Sequence, residues 1–261
     1  MHEVIATAAE TIAGPGHILV VSRAPPPPPF ARLQANRQLE IIDWESLQLR
    51  DDEIEGLYRL FCPDQAASET LLQGLCAQSG GWAAGLILLL RGLNSGTNGE
   101  ITLSPGGEPP QVLFDYFATE TFRQQDAAIQ DFLLRTAILP RVTPETAQQL
   151  SGNQNADQIL SHLNKNHYFT ERHSEVELFY QYHPLFREFL LATARLHFSI
   201  EDYRELERRA ADLLDQTGHV EAAVDLYLSA QDWMQFTRLL CEHAQPLIMQ
   251  GRGGAVLQWI D

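Results

Sequence analysis

The stretch FYQYHPLFREFL, residues 179–190, places a histidine where a strand-like run meets a helix-like one. Phe179, Tyr180 and Tyr182 suit a β-strand, whereas Leu185, Phe186, Phe189 and Leu190 recur at helical spacing. Pro184 suits a first helical turn, where its missing N–H would go unpaired in any case. His183 therefore stands at or just before a helix N-terminus, where backbone N–H groups and the helix dipole favour an anion. Three roles are open to it: a core histidine satisfied by backbone, a helix cap, or a hydrogen-bond donor to a phosphate.

Other chemistry finds no footing. Phosphate-loop hydrolysis needs a Gly-rich turn followed by a lysine. The chain has a single lysine, Lys165, in SHLNKNHY and far from any glycine. The histidines, His162, His167, His173, His183 and His197 among nine, match neither HExxH nor a paired spacing with a third ligand. No GxSxG supports a serine nucleophile. The expectation is no catalytic residue and no metal site, so this stretch is not itself an enzyme. An acid–base site built from carboxylates with shifted pKa values is the remaining enzymatic alternative, and sequence does not display one.

A chain of 261 residues allows two domains, and a hydrophobic content of 44% is that of an ordinary globular protein. The net charge of −16 repels nucleic acid and anionic membranes, so neither is expected as a partner. Cys62, Cys76 and Cys241 are odd in number and form no CxxC pair, which fits a reducing cytoplasm. There is no secretory signal pattern, and AAGLILLL at 83–90 is too short to cross a membrane.

The spacing predicts a short helix over 2–12, a buried parallel strand HILVVS at 17–22 and a second strand QLEII at 38–42, separated by five prolines, Pro25–Pro29. The prolines read as a stiff connector, with a polyproline ligand as the alternative. Residues 1–50 thus look like the remnant of an α/β domain. Residues 51–95 read as a helical unit, and 96–111 as a Gly/Pro-rich linker. Residues 112–197 give helices, two strand-like runs at 167–172 and 176–182, and a closing helix, the order of a winged helix. Its second-to-last helix, 156–165, offers Asp157, Gln158, His162 and Lys165, too few cations for tracking phosphates. An internal packing role is the expectation. Residues 198–261 read as an array of short helices with small residues Ala222, Ala223 and Ala230, loosely like tetratricopeptide repeats. The fold expected is mainly α.

Five segments, ILVVSRAPPPPPFARLQANRQLEII, GGWAAGLILLL, FDYFATETFRQQDAAIQDFLLRTAILPRVT, YQYHPLFREFLL and HVEAAVDLYLSAQDW, occur in the order seen in large LuxR-type ATP-binding regulators. The chain resembles this family, the maltose-operon-activator-like branch of the STAND signal-transducing NTPases. The resemblance implies a piece running from the last strands of a nucleotide-binding domain, through a helical lid and winged helix, into an arm. The phosphate loop would lie before Met1 and a DNA-reading domain after Asp261. It also implies ADP or ATP with magnesium in the intact protein, a small-molecule inducer bound by a downstream sensor, self-oligomerisation in the active state, and a slow ATPase switch.

Three residues carry over as nucleotide-binding in that intact protein. Arg23, ending ILVVSR, resembles the arginine that senses the γ-phosphate, a placement consistent with ligands gathering at strand C-terminal ends; a surface ion pair is its alternative. Ala83 stands where the family's lid motif has a proline near the adenine, which leaves helix packing as its other role. His183 matches the winged-helix histidine that reaches the β-phosphate of ADP. The rival reading of the whole chain is a helical-repeat interaction scaffold without a nucleotide switch.

Overall fold

The computed structural model describes residues 2–11, 17–22, 26–63, 68–95, 111–174, 177–249 and 259. It divides into two compact units: Met1–Pro105 with Ser161–Phe169, and Gly106–Leu160 with Thr170–Asp261. The predominance of helix agrees with the sequence reading.

In the first unit, α1 (His2–Thr11) precedes residues 17–22, which are not in a strand. Leu19 and Val21 are 82% and 91% exposed. Residues 38–42 are likewise outside regular structure, with Ile41 and Ile42 exposed. Both predicted strands are therefore absent. The physical reason is that β-branched composition favours a strand only when neighbours take its backbone groups and cover its faces. Among the described residues no strand pairs with either segment. A 3-10 turn at Pro28–Phe30 leads into α2 (Ala31–Ala35), burying Phe30 and Leu33. In α3 (Trp44–Leu47) the Asp43 carboxylate caps the first turn, accepting from the Ser46 N–H at 3.0 Å.

Three helices then pack on one another: α4 (Asp51–Phe61), α5 (Glu69–Ser79) and α6 (Ala83–Ser95). Ile54 and Tyr58 in α4 are one turn apart, and Leu86, Leu89 and Leu90 in α6 form a matching stripe; all are buried. The predicted linker at 96–111 lies, except for Gln111, outside the described residues.

In the second unit, α7 (Gln111–Phe117) runs into a π-turn at Ala118–Phe122. Then come α8 (Ala127–Thr136), capped by Asp126, and α9 (Pro144–Ser151), with a Thr143–Thr146 capping box. The next helix, α10 (Ala156–Lys165), begins in this unit, and its last residues belong to the first. The hairpin of β1 (Thr170–Ser174) and β2 (Leu178–Tyr182) pairs Thr170 with Tyr182 and Ser174 with Leu178. A single bridge from Val142 to Tyr180 adds a third short edge.

The closing helix is α11 (Pro184–His197). Phe186 is fully buried, with Phe117 at 5.4 Å and Phe189 at 6.1 Å between ring centroids, and Phe114 and Phe122 complete the aromatic core around Phe189. The buried Tyr182 hydroxyl pairs with Thr136 Oγ1 at 2.7 Å.

The arm consists of α12 (Ile200–Gln216), α13 (Val220–Ser229) and α14 (Trp233–Met249), each packed on the next. Ala210, Ala211, Ala223 and Ala230 are buried where these helices meet, as small residues must be for close approach. Acids of α12 act as acceptors across the seam. Glu207 accepts from Ser229 Oγ at 2.5 Å, Asp212 from the Tyr227 hydroxyl at 2.5 Å, and Asp215 from Arg238 Nη2 at 2.6 Å.

Burial pushes the Glu207 carboxyl above its ordinary value near 4.5, while the Ser229 hydroxyl and then Arg195, Arg204 and Arg208 pull it back. A raised folded-state value means the native state holds the proton more firmly. This contribution to stability is full below the ordinary pKa and is lost as pH rises through the raised one. Glu207→Gln, which keeps an acceptor for Ser229, is therefore expected to gain in Tm relative to the parent as pH rises from 4 to 7. A difference that shrinks over that range would show the ionised carboxylate to be favoured in place.

Candidate functional site: the winged-helix histidine

His183 follows the last residue of β2 and is the N-cap of α11, with φ −52° and ψ 136°. Its carbonyl accepts the Arg187 N–H at 2.9 Å, which closes the first turn. Its side chain makes no cap hydrogen bond, so the cap role is set aside. The residue is only 4% exposed. Pro184 occupies the first helical position, as its fixed φ and missing N–H allow. The site is thus an imidazole held at the start of a 14-residue helix, where the dipole favours negative charge.

Arg187 is the residue that the sequence reading misses. It lies four positions into the same helix, on the same face as His183. One guanidinium nitrogen, Nη2, donates to the Ile138 carbonyl at 2.9 Å and ties α11 to the chain just after α8. Burial lowers its pKa from the ordinary arginine value, partly offset by Tyr203 and Glu188. Burial also raises the neighbouring Glu188 carboxyl, against the attraction of Arg187. An arginine one turn after the histidine in HPLFREF is the available signal, but its spacing fits an ordinary amphipathic face equally well.

The other two predicted residues are placed differently. Arg23 lies outside the described residues. Ala83 is the first residue of α6, half-buried, and belongs to the first unit. Packing accounts for the glycines around it. Gly81 has φ +75°, and a Cβ there would stand 3.1 Å from the Leu49 carbonyl oxygen and 3.2 Å from its nitrogen. A Cβ on Gly85 would stand 2.3 Å from Trp82 Cε3. GGWAAGL therefore seats the Trp82 ring, which meets Phe169 edge-on at 4.9 Å.

In α10, Leu160 and Leu163 are buried, while Asp157, Gln158, His162 and Lys165 are exposed. That exposed face brings one full positive charge, too little for tracking a phosphate backbone. Among the described residues no group of three or more His, Cys, Asp or Glu could hold a metal ion. No described helix is long and apolar enough to cross a membrane.

Three helices, a hairpin with a third bridged edge, and a closing helix define the region as a winged-helix domain. Residues 118–202 match the family model of the MalT winged helix domain. The match contains the whole of α8 to α11 and His183, and it supports a similarity to MalT-like regulators at the level of this domain.

Proposed function

We propose that these residues form the relay of a STAND-type, ATP-binding transcriptional regulator of the LuxR kind. The relay couples ADP/ATP state and inducer binding to self-oligomerisation and transcription activation in the cytoplasm. The observation that carries the reading is the buried imidazole of His183 at the N-terminus of α11, within a segment similar to the MalT winged helix.

In this account the nucleotide and its magnesium are held by a phosphate-loop domain elsewhere in the protein. His183 donates to the β-phosphate of ADP and keeps the switch closed, and Arg23 senses the γ-phosphate. A hydrogen bond to phosphate is strengthened when the donor is charged. The inducer acts through the sensor beyond the arm. Differential binding of the two nucleotides to two states supplies the free energy of switching. The 261 residues are not an enzyme by themselves, and the winged helix packs against protein and does not read DNA.

A second reading, a helical-repeat scaffold without a switch, is favoured by one observation. Ala83 replaces the expected proline, and Trp82 packing accounts for the glycine of the same motif.

Calorimetry of the 261-residue chain with ADP and ATP is expected to give no affinity tighter than millimolar, because no phosphate loop is present in it. Duplex DNA at low salt is expected to remain unshifted. Micromolar nucleotide binding, or a tight and salt-sensitive DNA complex, would overturn the assignment.

A further inference from the structure

Residues 136–142, the end of α8 and the turn after it, meet the chain on both sides of His183, all within the second unit. On the strand side, Val142 and Tyr180 exchange both backbone hydrogen bonds, each at 2.8 Å. Two residues further, on the same face of β2, Tyr182 places its hydroxyl 2.7 Å from Thr136 Oγ1. The Thr136 hydroxyl gives its single proton to the Phe132 carbonyl at 2.8 Å, so the Tyr182 O–H is the donor of the pair. Thr136 and Tyr182 are 0% and 2% exposed, and neither hydroxyl has water to turn to.

On the helix side, the Arg187 N–H closes the first turn on the His183 carbonyl, and the Arg187 side chain reaches the Ile138 carbonyl at 2.9 Å. That carbonyl lies just past Ala137, the C-cap of α8, where the helix dipole favours a cation. A part-buried guanidinium is therefore tolerated there. The backbone of His183 runs between these two anchored side chains, one directly before it and one a helical turn after it. Pro184 fixes the next φ. With its neighbours held, His183 keeps φ −52° and ψ 136°, which aim its Cβ. Its side chain makes no cap hydrogen bond, so the direction of the imidazole comes from the backbone and not from the cap.

We infer that Thr136 and Arg187 are positioning residues for His183: the C-terminal end of α8 holds the strand before the histidine and the helical turn after it, and so sets where the imidazole stands. Both act through other groups, Thr136 through Tyr182 and Arg187 through the first turn of α11. The use of that position to meet a phosphate rests on the nucleotide-sensing role proposed above, but the positioning itself does not.

The test uses the 261-residue chain without nucleotide, so its failure and the failure of the nucleotide reading are separate events. Histidine ring signals are followed by NMR, with His183 assigned from a His183→Gln spectrum, together with exchange of the Arg187 amide. Thr136→Val keeps the side-chain shape but leaves the buried Tyr182 O–H without its acceptor. It is expected to move the His183 signals and to speed Arg187 exchange by about tenfold or more. Thr136→Ser, which keeps the hydroxyl, restores most of both. Adding Tyr182→Phe to Thr136→Val removes the stranded donor and brings exchange back toward the parent, while the His183 signals stay displaced. A merely structural role would restore the two together. Arg187→Met also moves the signals, and Arg187→Lys, which keeps a donor for one carbonyl, returns them part of the way. Thr193→Val removes a like bond further along α11, to the Phe189 carbonyl at 2.8 Å, and leaves the His183 signals in place. If Arg187→Met loses its near-ultraviolet circular dichroism, Thr136→Val supplies the deciding spectrum. His183 signals unmoved in folded Thr136→Val, or moved as far by Thr193→Val, overturn the inference.

Discussion

Phe186→Ala is expected to cost the winged-helix unit about 3–5 kcal/mol, the usual range for truncating a fully buried phenylalanine. Its ring is 0% exposed and packs against Phe117, Phe189 and Tyr182 at centroid distances of 5.4, 6.1 and 6.3 Å. The loss has two sources: the transfer of the removed atoms, and a cavity that neighbours on α7 and α11 cannot fill without leaving their rotamers. Because His183 is the N-cap of α11 and this ring anchors the helix, the site loosens with the core. Phe186→Leu keeps most of the volume and should cost less than half as much. Chemical denaturation followed by near-ultraviolet circular dichroism checks both. A loss for the alanine variant below about 1 kcal/mol would mean that the aromatic cluster is not what holds α11.

Gly85→Ala is the second large effect, and it reverses the usual expectation that alanine stabilises a helix. The new Cβ would overlap Trp82 Cε3 at 2.3 Å and Cζ3 at 2.9 Å, so the indole must leave its seat. Forced overpacking of this kind costs about 3 kcal/mol at its upper end. Gly56 is the control. It lies exposed within α4, and a Cβ there would meet nothing within 4 Å, so Gly56→Ala should stabilise by about 0.4–1 kcal/mol. Opposite signs for the same substitution in one helical unit, measured by thermal unfolding, would establish the Trp82 seat. Two small effects of equal sign would contradict it.

Much of the helical framework is legible in the sequence because its boundaries are chemical. Asp126 and Thr143–Pro144 mark starts, and Gly80 and Gly152, both left-handed, mark ends. The first of the helices expected in 112–197 is present, but it widens into a π-turn at Ala118–Phe122, a local change that periodicity does not register. Composition places the start of the first hairpin strand at His167, whereas the strand starts at Thr170. The residues between follow the α10 terminus in left-handed turns at His167 and Phe169, residue types that ordinarily signal no such turn. Residues 17–22 and 38–42 show the opposite failure: strand composition without the pairing that makes a strand.

At the candidate site, His183 and its helix start are visible from Pro184 and the change of period. Arg187 is not, since its role depends on the Ile138 carbonyl far away in sequence. The link from Trp82 to Phe169 is hidden for the same reason: neither residue carries a pattern that names its partner.

If His183 clamps a nucleotide-bound state, as proposed, the nucleotide itself is what to measure. The full-length protein, which on the proposed function joins this chain to a phosphate-loop domain, would be purified beside its His183→Ala variant. Both would be denatured, and the released nucleotide identified by chromatography. ADP is expected to be retained by the parent and lost or exchanged by the variant. Equal ADP in both, or none in either, would contradict it and leave His183 a core residue.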